Sequence, residues 1–217
     1  MISFDANTNL NTASATSLTY SHTMGAGANG GLFVVVGFGG SDDVTGVTYA
    51  GVSMTKIFAS TYTDTGGYHW NIYFLAAPAT GANNVVISRT SSNSIRSSSA
   101  SYLGISQTIP SGTQAVTYSN TASGNDGPTI NIAVANSWMM AVGLNQTSVN
   151  PNATFNDTKR TSGFGSNPDI LDSNGTLATG NTQIGMSYPG SDLHQFFGIA
   201  FAPYAAPSVN GNFLGLL

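Results

Sequence analysis

The sequence predicts an all-β protein: a two-sheet antiparallel β-sandwich of about ten strands. Three observations carry this expectation. Only 6% of the 217 residues are Asp, Glu, Lys or Arg, against about a quarter in an average soluble domain. All nine acids are Asp, and Glu is missing altogether. Glu, Lys and Arg clothe the outer faces of surface helices, so few such helices are expected here. In their place stand Ser, Thr, Asn and 26 Gly, residues that suit strand faces and turns. Finally, apolar segments recur at short intervals, with Gly, Asn, Pro and Asp clusters between them, which is the rhythm of strands and turns. With 41% hydrophobic residues the chain can fill a core.

Taken in order, "SLTYSHTM" (17–24) alternates, with Leu18, Tyr20, His22 and Met24 on one face. "GLFVVVGFGG" from Gly31 is apolar throughout, as a central strand buried on both sides would be. "VTGVTYAGVSMTKIF" reads as a hairpin that turns at Ala50-Gly51. "YHWNIYFLAAP" is an aromatic strand ending at Pro78, followed after "ATGANN" by "VVISRTS". "SSSASYLGIS" and "QAVTYSN" carry weaker strand signals, and the Ser-rich "RTSSNSIRSSSAS" (89–101) reads as a mobile loop. "PTINIAVA" and "SWMMAVGLN" read as a pair, the second placing Trp138, Met140, Val142 and Leu144 on one face. The turn-rich stretch 145–181 reads as a variable exposed surface. "TQIGMSY" and "HQFFGIAFAPY" close a domain of residues 1–204. An apolar tail, 205–217, follows. Its Phe213, Leu214, Leu216 and Leu217 are candidate assembly contacts that would pack on their own domain or on a neighbouring subunit.

Net charge is −4, and the five basic residues, Lys56, Arg89, Arg96, Lys159 and Arg160, are scattered. Without a basic stripe to neutralise phosphates, nucleic acid is a poor partner. The longest apolar run, Leu32 to Phe38, is too short for a membrane-spanning helix, so membrane insertion is not expected. The absence of Cys excludes a disulfide framework.

"GAGANG" (25–30) satisfies the G-x-G-x-x-G spacing of dinucleotide loops. Such a loop must lead into a helix whose N-terminus holds the pyrophosphate. Here it leads into the strongest strand signal in the chain, and Asp42 and Asp43 come too early to hold a ribose. It therefore reads as a positive-φ turn between two paired strands, and no cofactor is expected. His22, His69 and His194 show no metal-ligand spacing, and His22 reads as a hydrogen-bonded core or sheet-end residue. "DSNGT" from Asp172 resembles half a calcium loop but lacks the remaining ligands, so an Asx turn explains it. No G-x-S-x-G elbow exists, and spacing singles out no Ser–His–Asp set. No metal or catalytic residues are expected, and the protein reads as non-enzymatic. Tyr62, Tyr68 and Trp70, beside the turn "TDTGG", are the candidates for stacking on a sugar ring; Trp70 is also in phase with Ile72 and Phe74, as a core residue would be.

The succession "SLTYSHTMGAGANGGLFVVVGF", "VTGVTYAGVSMTKI", "YFLAAPATGANNVVIS" and "SYLGISQT" is similar to a recurrent β-sandwich domain of tailed-bacteriophage structural proteins and some bacterial surface proteins. The likeness runs from residue 3 to about 203. It implies a jelly-roll-like module and brings no active-site residues. The resulting expectation is a virion structural protein of decoration or fibre type, displayed on the capsid or tail. Its partners would be other virion proteins and copies of itself. The start "MISFDANTNLNTAS" does not read as a signal peptide, and release of a particle by lysis would take the protein outside the cell. The alternative is a carbohydrate- or receptor-binding module that meets a host-surface glycan through 62–70 or 145–181.

Overall fold

A computed structural model of the chain describes residues 1–58, 61–63, 67–108, 114–119, 123–145, 153–161, 168–188 and 194–206. Every named element is a β-strand, and every pairing is antiparallel. The first half holds β1 (Ser3–Ser14), β2 (Ser17–Met24), β3 (Gly31–Gly39), β4 (Val44–Tyr49), β5 (Val52–Ser53), β6 (Thr55–Lys56), β7 (Tyr62–Thr63), β8 (Tyr68–Ala76), β9 (Gly81–Arg89) and β10 (Ser94–Leu103). The second holds β11 (Gln114–Ser119), β12 (Gly124–Asp126), β13 (Thr129–Ile132), β14 (Trp138–Asn145), β15 (Ala153–Phe155), β16 (Thr158–Lys159), β17 (Asp169–Asp172), β18 (Gly180–Gln183), β19 (Gly185–Tyr188) and β20 (His194–Phe201).

These strands form four layers rather than two. The sheet β2-β9-β4-β5 covers the sheet β1-β10-β3-β8-β6, whose β8 also pairs with β7. Leu32, Val34, Val36 and Phe38 of β3 point into that first core, against Leu18 and Tyr20 of β2 and Val85 and Ile87 of β9. The opposite face of the same sheet carries Phe33, Val35, Trp70, Ile72 and Tyr102. That face packs on the sheet β11-β20-β14-β17-β16, through Trp138, Met140, Val142, Phe197, Ile199 and Phe201. The far side of the second middle sheet, with Met139, Ala141 and Phe196, is covered by β13-β18 and β12-β19-β15 through Ile130, Met186 and Tyr188. The β-sandwich reading therefore holds, but as two sandwiches stacked through a shared central core.

The two middle sheets are built alike. In each, the first and last strands of the half lie side by side, β1 on β10 and β11 on β20, and the last strand then pairs with the long buried strand, β3 or β14. The ends of the two halves also pair with each other. Ile105 bridges Pro203, Ser106 N–H donates to Ala202 O at 2.8 Å, and Tyr204 N–H donates to Gly104 O at 2.9 Å.

Sequence periodicity located several strands well. β2 buries alternate residues, β3 buries both faces, and Ala50 (φ 51°) with Gly51 (φ 80°) forms the two-residue β4–β5 turn with both φ angles positive. Four expectations need correction. The 89–101 segment is not a loop: after a short turn it becomes β10, paired on one side with β1 and on the other with β3. Its serines are small enough to let neighbouring layers close, and most of their hydroxyls find partners inside. Residues 145–181 contain β15, β16 and the buried β17, although 146–152 and 162–167 lie outside the described residues. "PTINIAVA" and "SWMMAVGLN" do not pair; β13 lies on β18, and β14 lies between β20 and β17.

The fourth correction concerns "GAGANG". It does join β2 to β3, but these strands belong to facing sheets and do not pair. It is an arch between layers, and in it only Asn29 has positive φ (55°). The glycines serve close approach instead. A Cβ on Gly25 would run into the Asp5 carboxylate, one on Gly27 would lie 2.6 Å from Leu103 Cδ1, and one on Gly30 would lie 2.5 Å from Met24 Cε. The backbone passes close to the ends of these side chains, which would have to shift to admit a Cβ.

Gly37 tests the packing between layers. A Cβ there would strike the ring of Trp70, itself fully buried in the central core. Gly37→Ala is expected to lower stability by about 2 kcal/mol, because a large ring in a filled core cannot retreat. Gly46→Ala, with nothing within 4 Å of its Cβ, should stay within about 0.5 kcal/mol of wild type. Urea denaturation of both variants measures the difference.

Candidate functional site

Two buried polar clusters bring together residues with chemical potential. The first forms where β1, β2 and β10 meet. His22 faces inward from β2 and is 1% exposed. Its Nδ1 lies 2.9 Å from Thr8 Oγ1 and 3.1 Å from Ser99 Oγ, and its Nε2 lies 3.0 Å from Ser101 Oγ. The Ser101 hydroxyl donates to Asp5 Oδ2 at 2.7 Å, and the same oxygen accepts the Gly25 N–H at 2.9 Å. Ser101 has one proton and gives it to Asp5, so it accepts from the ring. This bookkeeping assigns the neutral tautomer with hydrogen on Nε2 and a lone pair on Nδ1 that takes a hydroxyl proton.

Asp, Ser and His thus come together, but in the wrong sequence for nucleophilic catalysis. A working triad runs carboxylate–imidazole–hydroxyl, with the ring removing the hydroxyl proton. Here the hydroxyl stands between the other two and donates to the carboxylate. Ser101 is fully buried as well. The cluster ties three strands and leaves no activated oxygen. Burial without a full counter-charge holds His22 down at about pKa 4, and Asp5 offsets only part of that effect.

The second cluster crosses the central core between the two sandwiches. Arg160, just after β16, donates from Nε to Asp172 Oδ2 at 2.7 Å and from Nη2 to Asp172 Oδ1 at 2.9 Å. Tyr102 of β10 donates its hydroxyl to Asp172 Oδ2 at 2.9 Å. Desolvation, with Asp172 beside it, drives the Tyr102 phenol well above its usual pKa, so it stays a donor. The Arg160 guanidinium lies over the Phe4 ring, 4.1 Å from its centroid. Asn174 N–H donates to Asp172 Oδ1 at 2.9 Å, so "DSNGT" is the Asx turn expected of it, and its leading carboxylate is engaged by Arg160 and Tyr102. A bidentate Arg–carboxylate pair is the geometry that makes a buried charge tolerable.

At one end of the first sandwich, Arg89 is buried and donates to Asp43 Oδ1, Ser94 O, Gly39 O and Ser91 Oγ. Desolvation of the Asp43 carboxylate acts against its ionisation, but hydrogen bonds from Ser91 and Arg89 outweigh it and bring Asp43 to about pKa 2. Nearby, Lys56 Nζ donates to Asp42 Oδ2 at 3.2 Å, and the Thr61 hydroxyl donates to the same oxygen. Among the described residues, no three His, Cys, Asp or Glu side chains gather to hold a metal ion.

Of the three candidate sugar contacts, burial removes Trp70. Trp70 is 0% exposed and belongs to the central core, so its ring cannot receive a ligand; burial of large apolar area won over display. Tyr62 and Tyr68 are half-buried against the same core. Arg96 lies 4.3 Å from the centroid of the Tyr68 ring and donates to its hydroxyl at 3.0 Å. His69 is stacked on Phe38, with centroids 5.5 Å apart. Phe213, Leu214, Leu216, Leu217 and the His194 side chain lie outside the described residues.

Comparison with protein-family models, with curated proteins and with solved structures finds no match to this chain.

Both clusters yield stability predictions. The folded-state pKa of His22, about 4, lies below the 6.5 of a free imidazole. As pH falls the unfolded chain binds its proton first, so this contribution is complete above pH 6.5 and is lost on the way down through pH 4. The loss should amount to about 3 kcal/mol. Urea midpoints between pH 7 and 4 should fall in wild type and flatten in His22→Gln. For the second cluster, Arg160→Met strands a fully buried carboxylate and should cost about 3 to 5 kcal/mol. Adding Asp172→Asn should recover part of that cost. Equal denaturation midpoints for the single and double variants would show that the two side chains are not coupled.

Proposed function

We propose that the chain is a non-enzymatic structural subunit of a phage particle, displayed on the capsid or tail and acting through contacts with copies of itself and other particle proteins. The observation that carries this reading is the disposition of its reactive groups. His22, Ser101 and Asp172 are sealed from solvent, and each is spent on hydrogen bonds between strands or layers. A hydrolase would present such groups to a substrate. The outer strands support the same reading: β2 and β13 turn Ser, Thr and Asn outward, and the whole chain carries few charges. Such a surface meets neighbours without the cost of desolvating many ions. The sequence likeness to phage sandwich modules supplies the particle.

Sedimentation velocity on the purified chain tests the assembly part of the proposal, and mass spectrometry of purified phage particles tests its location. A concentration-dependent oligomer, and peptides of this chain in particles, are expected. A strict monomer absent from particles contradicts the proposal.

A further inference from the structure

We propose that His22 is an acid-operated latch on the first strand: when the ring takes a second proton, β1 opens away from β10 while the rest of the stack stays folded. The ring is sealed by four elements. From β1 come Asp5 and Thr8; from β10, Ser99 and Ser101. From β4 comes Tyr49, edge-on at 6.2 Å between centroids, with its hydroxyl bonded to the His22 and Gly81 carbonyls. β9 brings the neutral Asn83, opposite His22 in the ladder. Among these groups Asp5 is the only carboxylate, and it reaches the ring through Ser101. An imidazolium at this site is therefore buried with an indirect counter-charge and needs water.

Among those elements β1 is the cheapest to move. β10 lies between two strands of its own sheet, and β9 lies between β2 and β4. β1 is an edge strand whose pairing with β10 shifts register twice, between Phe4 and Ala6 and between Thr8 and Asn11. Three of its side-chain ties to the body, Thr8 to His22, Ser101 to Asp5 and Gly25 to Asp5, converge around the ring. Opening this strand hydrates the ring at the cost of one bulged ladder and the contacts of Ile2 and Phe4 with the central core; β2 is also an edge strand, but freeing the ring on that side breaks a ladder of eight pairs without a bulge. Movement of β1 also uncovers the edge of β10, which can accept another strand.

The test is hydrogen–deuterium exchange by mass spectrometry on the full chain at pH 7 to 4, corrected for the intrinsic pH dependence of exchange. Amides of β1 should lose protection by on the order of a hundredfold across that range, as the affinity of the free and buried ring for a proton requires. β3 and β14 should hold theirs, and His22→Gln should abolish the β1 effect. If that variant does not fold, Asp5→Asn, followed with wild type to pH 3, replaces it: removal of the one facing carboxylate should extend the fall in protection below pH 4, where the wild-type fall levels off. Loss of protection in all strands together, no loss in β1, or an unchanged β1 profile in His22→Gln would each overturn the latch. So would an unchanged profile in Asp5→Asn.

Discussion

The structure depends on two sheets that are buried on both faces. A sheet with one wet face can alternate apolar and polar residues, but a sheet between two others must present something compatible with a core on each side. β3 meets that demand with unbroken apolar residues, and β14 does so with Trp138, Met140 and Val142 on one face and Met139 and Ala141 on the other. Each layer added outside removes water from the one beneath, so polar groups in the middle are stable chiefly where they find partners within the protein; Ser98 Oγ, Trp138 Nε1 and the Gln195 amide are buried without one among the described residues.

That demand explains why residues with catalytic potential are arranged as ties. β10 runs through the first middle sheet carrying Ser97, Ser98, Ser99 and Ser101, all fully buried. Ser97 donates to the Val35 carbonyl and meets the Tyr20 hydroxyl at 2.8 Å. Ser99 and Ser101 meet His22. Small hydroxyl side chains let the layers approach, and their hydrogen bonds fix which strand lies opposite which. Tyr102, Arg160 and Asp172 do the corresponding work between the two sandwiches. In water such a pair contributes little; here its removal would leave a charge with nowhere to go, which makes it specific more than strong.

Strands with an unmistakable period were legible in the sequence. The alternation of β2, the apolar run of β3 and the Ala50-Gly51 turn each declare themselves within a few residues. β10 was only partly legible: "SSSASYLGIS" carried a weak strand signal, but the Ser-rich stretch before it read as a mobile loop, because the partners of Ser97, Ser99 and Ser101 (Tyr20, a carbonyl of β3, His22 and Asp5) lie far away along the chain. β17 was hidden for a related reason, since "DILD" looks like a polar turn until Arg160 and Tyr102 are placed around it. The number of layers was also beyond a period of two, which tells how a strand alternates but not how many sheets cover it. Trp70 shows the limit for function, because an aromatic beside a turn reads equally as a binding platform and as core, and only the second middle sheet decides between them. His22 was legible as a core residue, but the company of Asp5 and Ser101 was not.

A shared central core, with Trp70 on one side and Trp138 on the other, is expected to make the two sandwiches one cooperative unit. Equilibrium urea unfolding of the Trp70→Phe and Trp138→Phe variants, each followed by the fluorescence of the remaining indole and by far-ultraviolet circular dichroism, tests this most directly. Within each variant, the fluorescence and circular dichroism transitions should share one midpoint. Separate transitions, with one sandwich melting while the other persists, would contradict the account.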